Sequence, residues 1–164
     1  MDHDNAPQPR STSPRRHYLM FALNMGVSLI VMYLVMFSMI DGRRDFRNNL
    51  NMFYMALAMV APMGMIMLLT MRGMYSNRPL NAAIHAGLLA MLVIGLAATR
   101  TQSFIGDRQF VASMIPHHSG AILMCERAPL RDPELRALCE DIRRGQRREI
   151  DQMEAVGKRL ARSS

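Results

Sequence analysis

Over the first hundred residues, long uncharged apolar runs alternate with short charged ones, and an amphipathic pattern follows. Residues 18–40, 50–71 and 80–99 contain no Asp, Glu, Lys or Arg, and each run is 20 residues or longer. A hydrocarbon layer of roughly 30 Å takes about 20 residues at ~1.5 Å of helix rise each. The pattern therefore predicts three spanning helices. The first run exceeds the ~7–15 residues of a cleavable signal core, and the DGRRDF that follows has no small-x-small cleavage site. Pro62 and Gly64 interrupt the second run, where a kink is expected.

From residue 100 the pattern has a helical period and no strand-like alternation. An amphipathic segment over 107–128 is followed by a turn at Pro129–Pro133. Asp132 there is placed to cap a second helix with Pro133 at its first position, and that helix continues to about Leu160. Pro116 falls inside the first helix and is expected to kink or restart it. Stepping 100° per residue puts Leu135, Leu138, Ile142, Met153, Val156 and Leu160 on one stripe of the second helix, with Glu149 in its middle and Gln146 at its edge. Arg143, Arg144, Arg147 and Arg148 are read as pointing elsewhere. The first helix presents Phe110, Val111, Met114, His118, Ala121 and Cys125, joined by Asp107 and flanked by His117 and Met124. The expected organisation is an all-α chain: a disordered tail over 1–17, a membrane domain over 18–99 and a helical hairpin over 100–164.

Composition changes this picture in three places. Mean hydropathy is only +0.02, an average that hides the segregation of charge from apolar runs. The net charge of +7 invites a nucleic-acid reading, but no recognition motif accompanies the arginines, and a tethered basic helix facing water or anionic lipid is the simpler expectation. Charge does not orient the spans. Arg10, Arg15, Arg16, Arg72 and Arg78 fall on one side, and Arg43, Arg44, Arg47, Arg100 and Arg108 on the other.

Three features carry candidate chemistry. The chain has 18 Met, many of them in the spans, where thioether sulfur serves either as a soft copper(I) ligand or as flexible apolar filler. Met1-Asp2-His3 has the form of a square-planar copper(II) or nickel(II) site, and His85 with Asn81 lies near the start of the third span. Folding the hairpin about residue 132 brings a layer of Met114, His118, Gln146 and Glu149 together, with Cys125 level with Cys139 nearer the turn. An imidazole and a carboxylate on facing apolar stripes are costly unless paired or metal-bound. The layer is open to three readings: a structural ion pair, a metal site or a proton-transfer dyad. The two thiols are open to a disulfide in an oxidising compartment, or to a role as buried hydrophobes or soft ligands in a reducing one.

The blocks Met114-Ile115-Pro116-His117-His118, Ala121-Ile122, Met124, Asp132-Pro133, Arg136, Leu138, Gln146, Glu149-Ile150 and Met153 occur in order over about residues 104–160. In these blocks the chain resembles the bacterial family called domain of unknown function 305, and the Met-rich first part with MYSNRPLN is similar to its membrane-anchored branch. The resemblance implies a ferritin-like fold of two-helix repeats, and because one hairpin of about 55 residues buries little by itself, a homodimer completing a four-helix bundle is expected. The resemblance implies copper binding by Met114, His117, His118, Met124 and Met153, supported by Asp107, Gln146 and Glu149. The facing stripes add Glu149 to the expected ligands, and Cys125 and Cys139, which depart from the small residues expected there, stand as further supporting positions. The resemblance also implies a place in a bacterial inner membrane with the hairpin in the periplasm. The expected function is capture of copper(I) or silver without catalysis, with the bilayer, the metal and a second copy as partners and no nucleic acid. The alternatives are a non-catalytic scaffold whose hairpin mediates oligomerisation, and a ferritin-like redox enzyme. The enzyme reading is weakened by the absence of any Glu-x-x-His pair.

Overall fold

A computed structural model describes residues 14–163, and among them every regular element is helical. The elements are α1 (Pro14–Met36), α2 (Leu50–Thr70), α3 (Arg78–Thr101), α4 (Asp107–Arg127) and α5 (Pro133–Arg162), with short 3-10 turns at Phe37–Met39 and Arg43–Asp45 between α1 and α2. Three helices are long and apolar enough to cross a membrane, and they coincide with the three uncharged runs. Residues 1–13, and with them Met1-Asp2-His3, lie outside the described residues. Residues 14–17 form the first turn of α1.

Local sequence explains the helix ends. Asn49 caps α2 by accepting from the Met52 amide at 2.9 Å, and Asn77 caps α3 by accepting from the Leu80 amide at 3.1 Å. Asp132 caps α5 through the Leu135 amide at 2.9 Å, with Pro133 opening the helix as its spacing predicts. α2 runs through Pro62 and α4 through Pro116 as continuous helices.

α1, α2 and α3 pack through Phe21, Ala61, Leu68, Tyr75 and Leu88, with Met25, Met65, Met67 and Met91 filling around them. These methionines act as adaptable packing. Leu23, Val27, Ile30, Leu34, Ile66, Val93 and Ile94 turn outward and stay exposed, as lipid-facing positions do. α2 and α3 come into close backbone approach at Gly95, where an added Cβ would lie 3.0 Å from the Tyr54 carbonyl oxygen and 3.3 Å from the Ala58 nitrogen. Backbone cannot yield as a side-chain tip can. Gly95→Ala is therefore expected to force the helices apart at a cost of about 1–3 kcal/mol, read as a lowered thermal midpoint in detergent. An unchanged midpoint would contradict this close approach.

Candidate functional site

α4 and α5 form an antiparallel hairpin around a small core of Ile115, Ile122 and Ile150, with Val111 and Met153 packed on it. His118 lies three residues after Ile115 and four before Ile122, so it shares their face of α4. Its side chain is 13% exposed, and its Nδ1 lies 3.0 Å from Glu149 Oε2. The pair is close enough for an ion pair but is not aligned as a hydrogen bond, so Nδ1 is a buried polar atom without a hydrogen-bond partner. Burial pushes the His118 pKa down. The Glu149 carboxylate opposes that shift, and the neighbouring His117, its ring centroid 6.1 Å away, adds to it. The imidazole is thus neutral at pH 7 and has a lone pair to offer.

The seam is wetter than the stripe predicts. Glu149 is 54% exposed, and Ile150 beside it is the residue that faces inward. α5 is turned by about one residue, ~100°, from the predicted face, which buries an alkyl group in place of a carboxylate. The same turn leaves Leu135 and Leu138 about half exposed. Met114 is half-buried one turn before His118, and Met153 stands one turn after Glu149. Two i,i+4 pairs on facing helices therefore put a thioether beside each member of the His–Glu pair. Gln146 is half-buried on the other side of Glu149, and His117 is exposed. Met124 is exposed about 9 Å along α4 from His118, and Asp107 about 16 Å in the other direction, so neither joins the layer. Among the described residues no three His, Cys, Asp or Glu side chains converge, so one chain does not assemble the several carboxylates of a di-iron set.

Cys125 and Cys139 are joined as a disulfide with Cα atoms 5.2 Å apart, so in this state they are not ligands. The bridge closes the end of the hairpin over a sequence separation of 14. Its reduction is expected to lower hairpin stability by about 3 kcal/mol, by the chain-entropy scaling for such a loop, measured by denaturation with and without reductant. Two thiols titrating freely in unreduced protein would count against the bridge.

A second polar cluster escaped the periodicity entirely. Asp45, between α1 and α2, is fully buried against the hairpin. The Ser119 hydroxyl donates to Asp45 Oδ2 at 2.6 Å and accepts from the Asp41 amide at 2.8 Å. Arg147 comes in from α5, with Nη2 2.7 Å from Asp41 Oδ2 and Nη1 3.7 Å from Asp45 Oδ2. The arginine read as pointing elsewhere is thus a counter-ion of the loop, beside Arg44, whose Nε lies 3.6 Å from Asp45 Oδ1. Gly120 lets the chain come close, since a Cβ there would lie 3.2 Å from the Met39 carbonyl oxygen. Arg47 with Glu154 at 3.0 Å, and the Leu50 amide donating to Gln109 Oε1 at 3.0 Å, extend the dock. The available signal was a Ser-Gly pair directly after His-His and two aspartates just beyond an apolar run. Neither reports a partner 74 or more residues away.

At the other end of the spans, Tyr18 donates to Asn81 Oδ1 at 2.7 Å, and Asn81 donates to the Tyr75 carbonyl at 2.7 Å. His85 Nδ1 lies 2.8 Å from the Asn81 carbonyl. The MYSNRPLN segment thus closes α1 onto α3.

The family described as domain of unknown function (DUF305) matches residues 62–157, beginning inside α2 and running through most of the hairpin. An uncharacterized protein of Acanthamoeba polyphaga mimivirus is 36% identical over 114 residues, covering 68% of this chain and 73% of that protein. No solved structure matches the chain.

Proposed function

The chain belongs to this family, and from that premise we propose that it is a membrane-embedded protein whose hairpin captures copper(I) or silver(I) as cargo. The observation that carries the reading is the mostly buried His118, whose Nδ1 lacks an aligned hydrogen bond while thioethers stand one turn from it and from Glu149; burial favours its neutral form. Imidazole with thioether sulfur is a soft donor set, suited to copper(I) or silver(I). His118 and Met114 are the central donors in this reading, Met153 supplies a second sulfur from α5, and Glu149 orients the imidazole. His117, next to His118, serves as an exposed entry ligand. The disulfide supports placing the hairpin on an oxidising face, the periplasmic side of a bacterial inner membrane.

The test is anaerobic titration of the full chain in detergent with copper(I), zinc and iron(II), each against a chromophoric competitor. About one copper(I) per hairpin or hairpin pair is expected, in preference to the other two. Failure to take up copper(I) would remove the proposal.

A second reading, a scaffold that pairs through its hairpin, is favoured by the exposure of Met124, Leu135 and Leu138 near the hairpin turn. Pairing there completes a four-helix, ferritin-like bundle. Sizing in detergent with and without chelator separates a constitutive pair from a metal-dependent one.

A further inference from the structure

We infer that the groove between the open ends of α4 and α5 holds an anionic phospholipid from the membrane leaflet nearest the hairpin. The groove, about 830 Å³, is lined along its floor by Val111, Ile115, Met153, Gly157 and Ala161. Arg44, Arg47, Arg108 and Lys158 stand around it, and the single carboxylate, Glu154, is paired with Arg47 at 3.0 Å. Arg47 is taken up by Glu154, Arg44 lies 3.6 Å from the buried Asp45, and Arg108 donates to the Leu160 carbonyl at 2.8 Å. The groove lining still carries four cations to one carboxylate around an apolar trough, which suits a ligand with a negative head and a hydrocarbon body.

Position selects lipid over a soluble amphiphile. The inference rests on the reading that α1, α2 and α3 cross a membrane. α4 follows α3 after only residues 102–106, and Gln109 in its first turn accepts from the amide of Leu50, the first residue of α2. Arg44 and Arg47 lie just before that residue, so the cationic rim sits where two spans leave the hydrocarbon. Phe104 is 89% exposed at the same level, with Phe46 and Phe110 also exposed. Neighbouring lipid would cover these rings. None of the residues named for metal capture forms the cationic rim, and of them only Met153 lines the floor.

The experiment uses the full chain in detergent, offered phosphatidylglycerol or phosphatidylcholine with identical acyl chains, with retained lipid counted by native mass spectrometry. Preferential retention of phosphatidylglycerol is expected. Lys158→Gln changes an exposed side chain, and Arg44→Gln is read beside its thermal midpoint because Arg44 also lies 3.6 Å from the buried Asp45. Each is expected to weaken that preference about fivefold, the effect of one basic residue at an anionic surface. Ala161→Phe, which fills the trough, is expected to reduce retention of both lipids. Equal retention of the two lipids, or an unchanged preference in both glutamine variants, would overturn the inference. So would displacement by glycerol phosphate as effective as by whole lipid, because the trough would then contribute nothing. A chain that is soluble without detergent refutes the membrane reading and the inference with it. One that needs detergent yet shows no preference refutes the groove alone.

Discussion

Arg147→Met is expected to destabilise the docked hairpin by about 3 kcal/mol, the lower end for breaking a buried pair because Arg147 itself keeps 30% exposure. The substitution leaves Asp45 fully buried and held only by the Ser119 hydroxyl and by the largely exposed Arg44, whose Nε lies 3.6 Å from Oδ1, an atom lacking a hydrogen-bond partner. A fully buried carboxylate left with one long contact to an exposed guanidinium has lost most of its compensation, and that loss consumes the stability the dock supplied. The measurements are the thermal midpoint in detergent and hydrogen exchange over residues 37–49. Adding Asp45→Asn to Arg147→Met is expected to recover part of the loss, since an amide needs no counter-ion. A midpoint and exchange pattern identical to the parent would show that the loop is not anchored through this pair.

The second large effect concerns metal capture. Changing His118 and Met114 together to Ala is expected to lower copper(I) affinity by at least about 100-fold, because loss of a mere orienting group already costs about 10–100-fold. Glu149→Gln is expected within that smaller range. Uptake should also have an acid limit. The folded-state pKa of His118 lies below the ordinary value of about 6.5, so the native chain binds fewer protons there than the unfolded one. The stability from keeping the imidazole neutral is complete above about pH 6.5 and is lost as pH falls through the lower, folded value. Copper(I) competes with the same proton, so affinity should hold at mildly acidic pH and fall below it. If the double variant binds as tightly as the parent, His118 is no ligand and its burial is structural.

What each level of description could supply follows from the range of the forces involved. The three apolar runs, the cap at Asp132 and the two hairpin helices are consequences of neighbouring residues, and they were legible in the sequence to within a few positions, whereas the equally local caps at Asn49 and Asn77 were not read from it. So was the pairing of Cys125 with Cys139 as one of two open outcomes, and the juxtaposition of His118 with Glu149, because an antiparallel hairpin with a short turn leaves few registers.

Helical periodicity finds an apolar face only to within about a residue, and one residue is ~100° of rotation. Which of Glu149 and Ile150 faced inward was settled by packing against Ile115 and Ile122, which the alkyl side chain could fill and the carboxylate could not. The burial of Asp45 and the engagement of Arg147 depend on bringing a loop from between two spans onto a hairpin more than seventy residues later. No local pattern encodes that meeting. It exists because Ser119 and Gly120 present a hydroxyl and a bare backbone where the loop arrives, and because a buried carboxylate is stable only where its partners already stand.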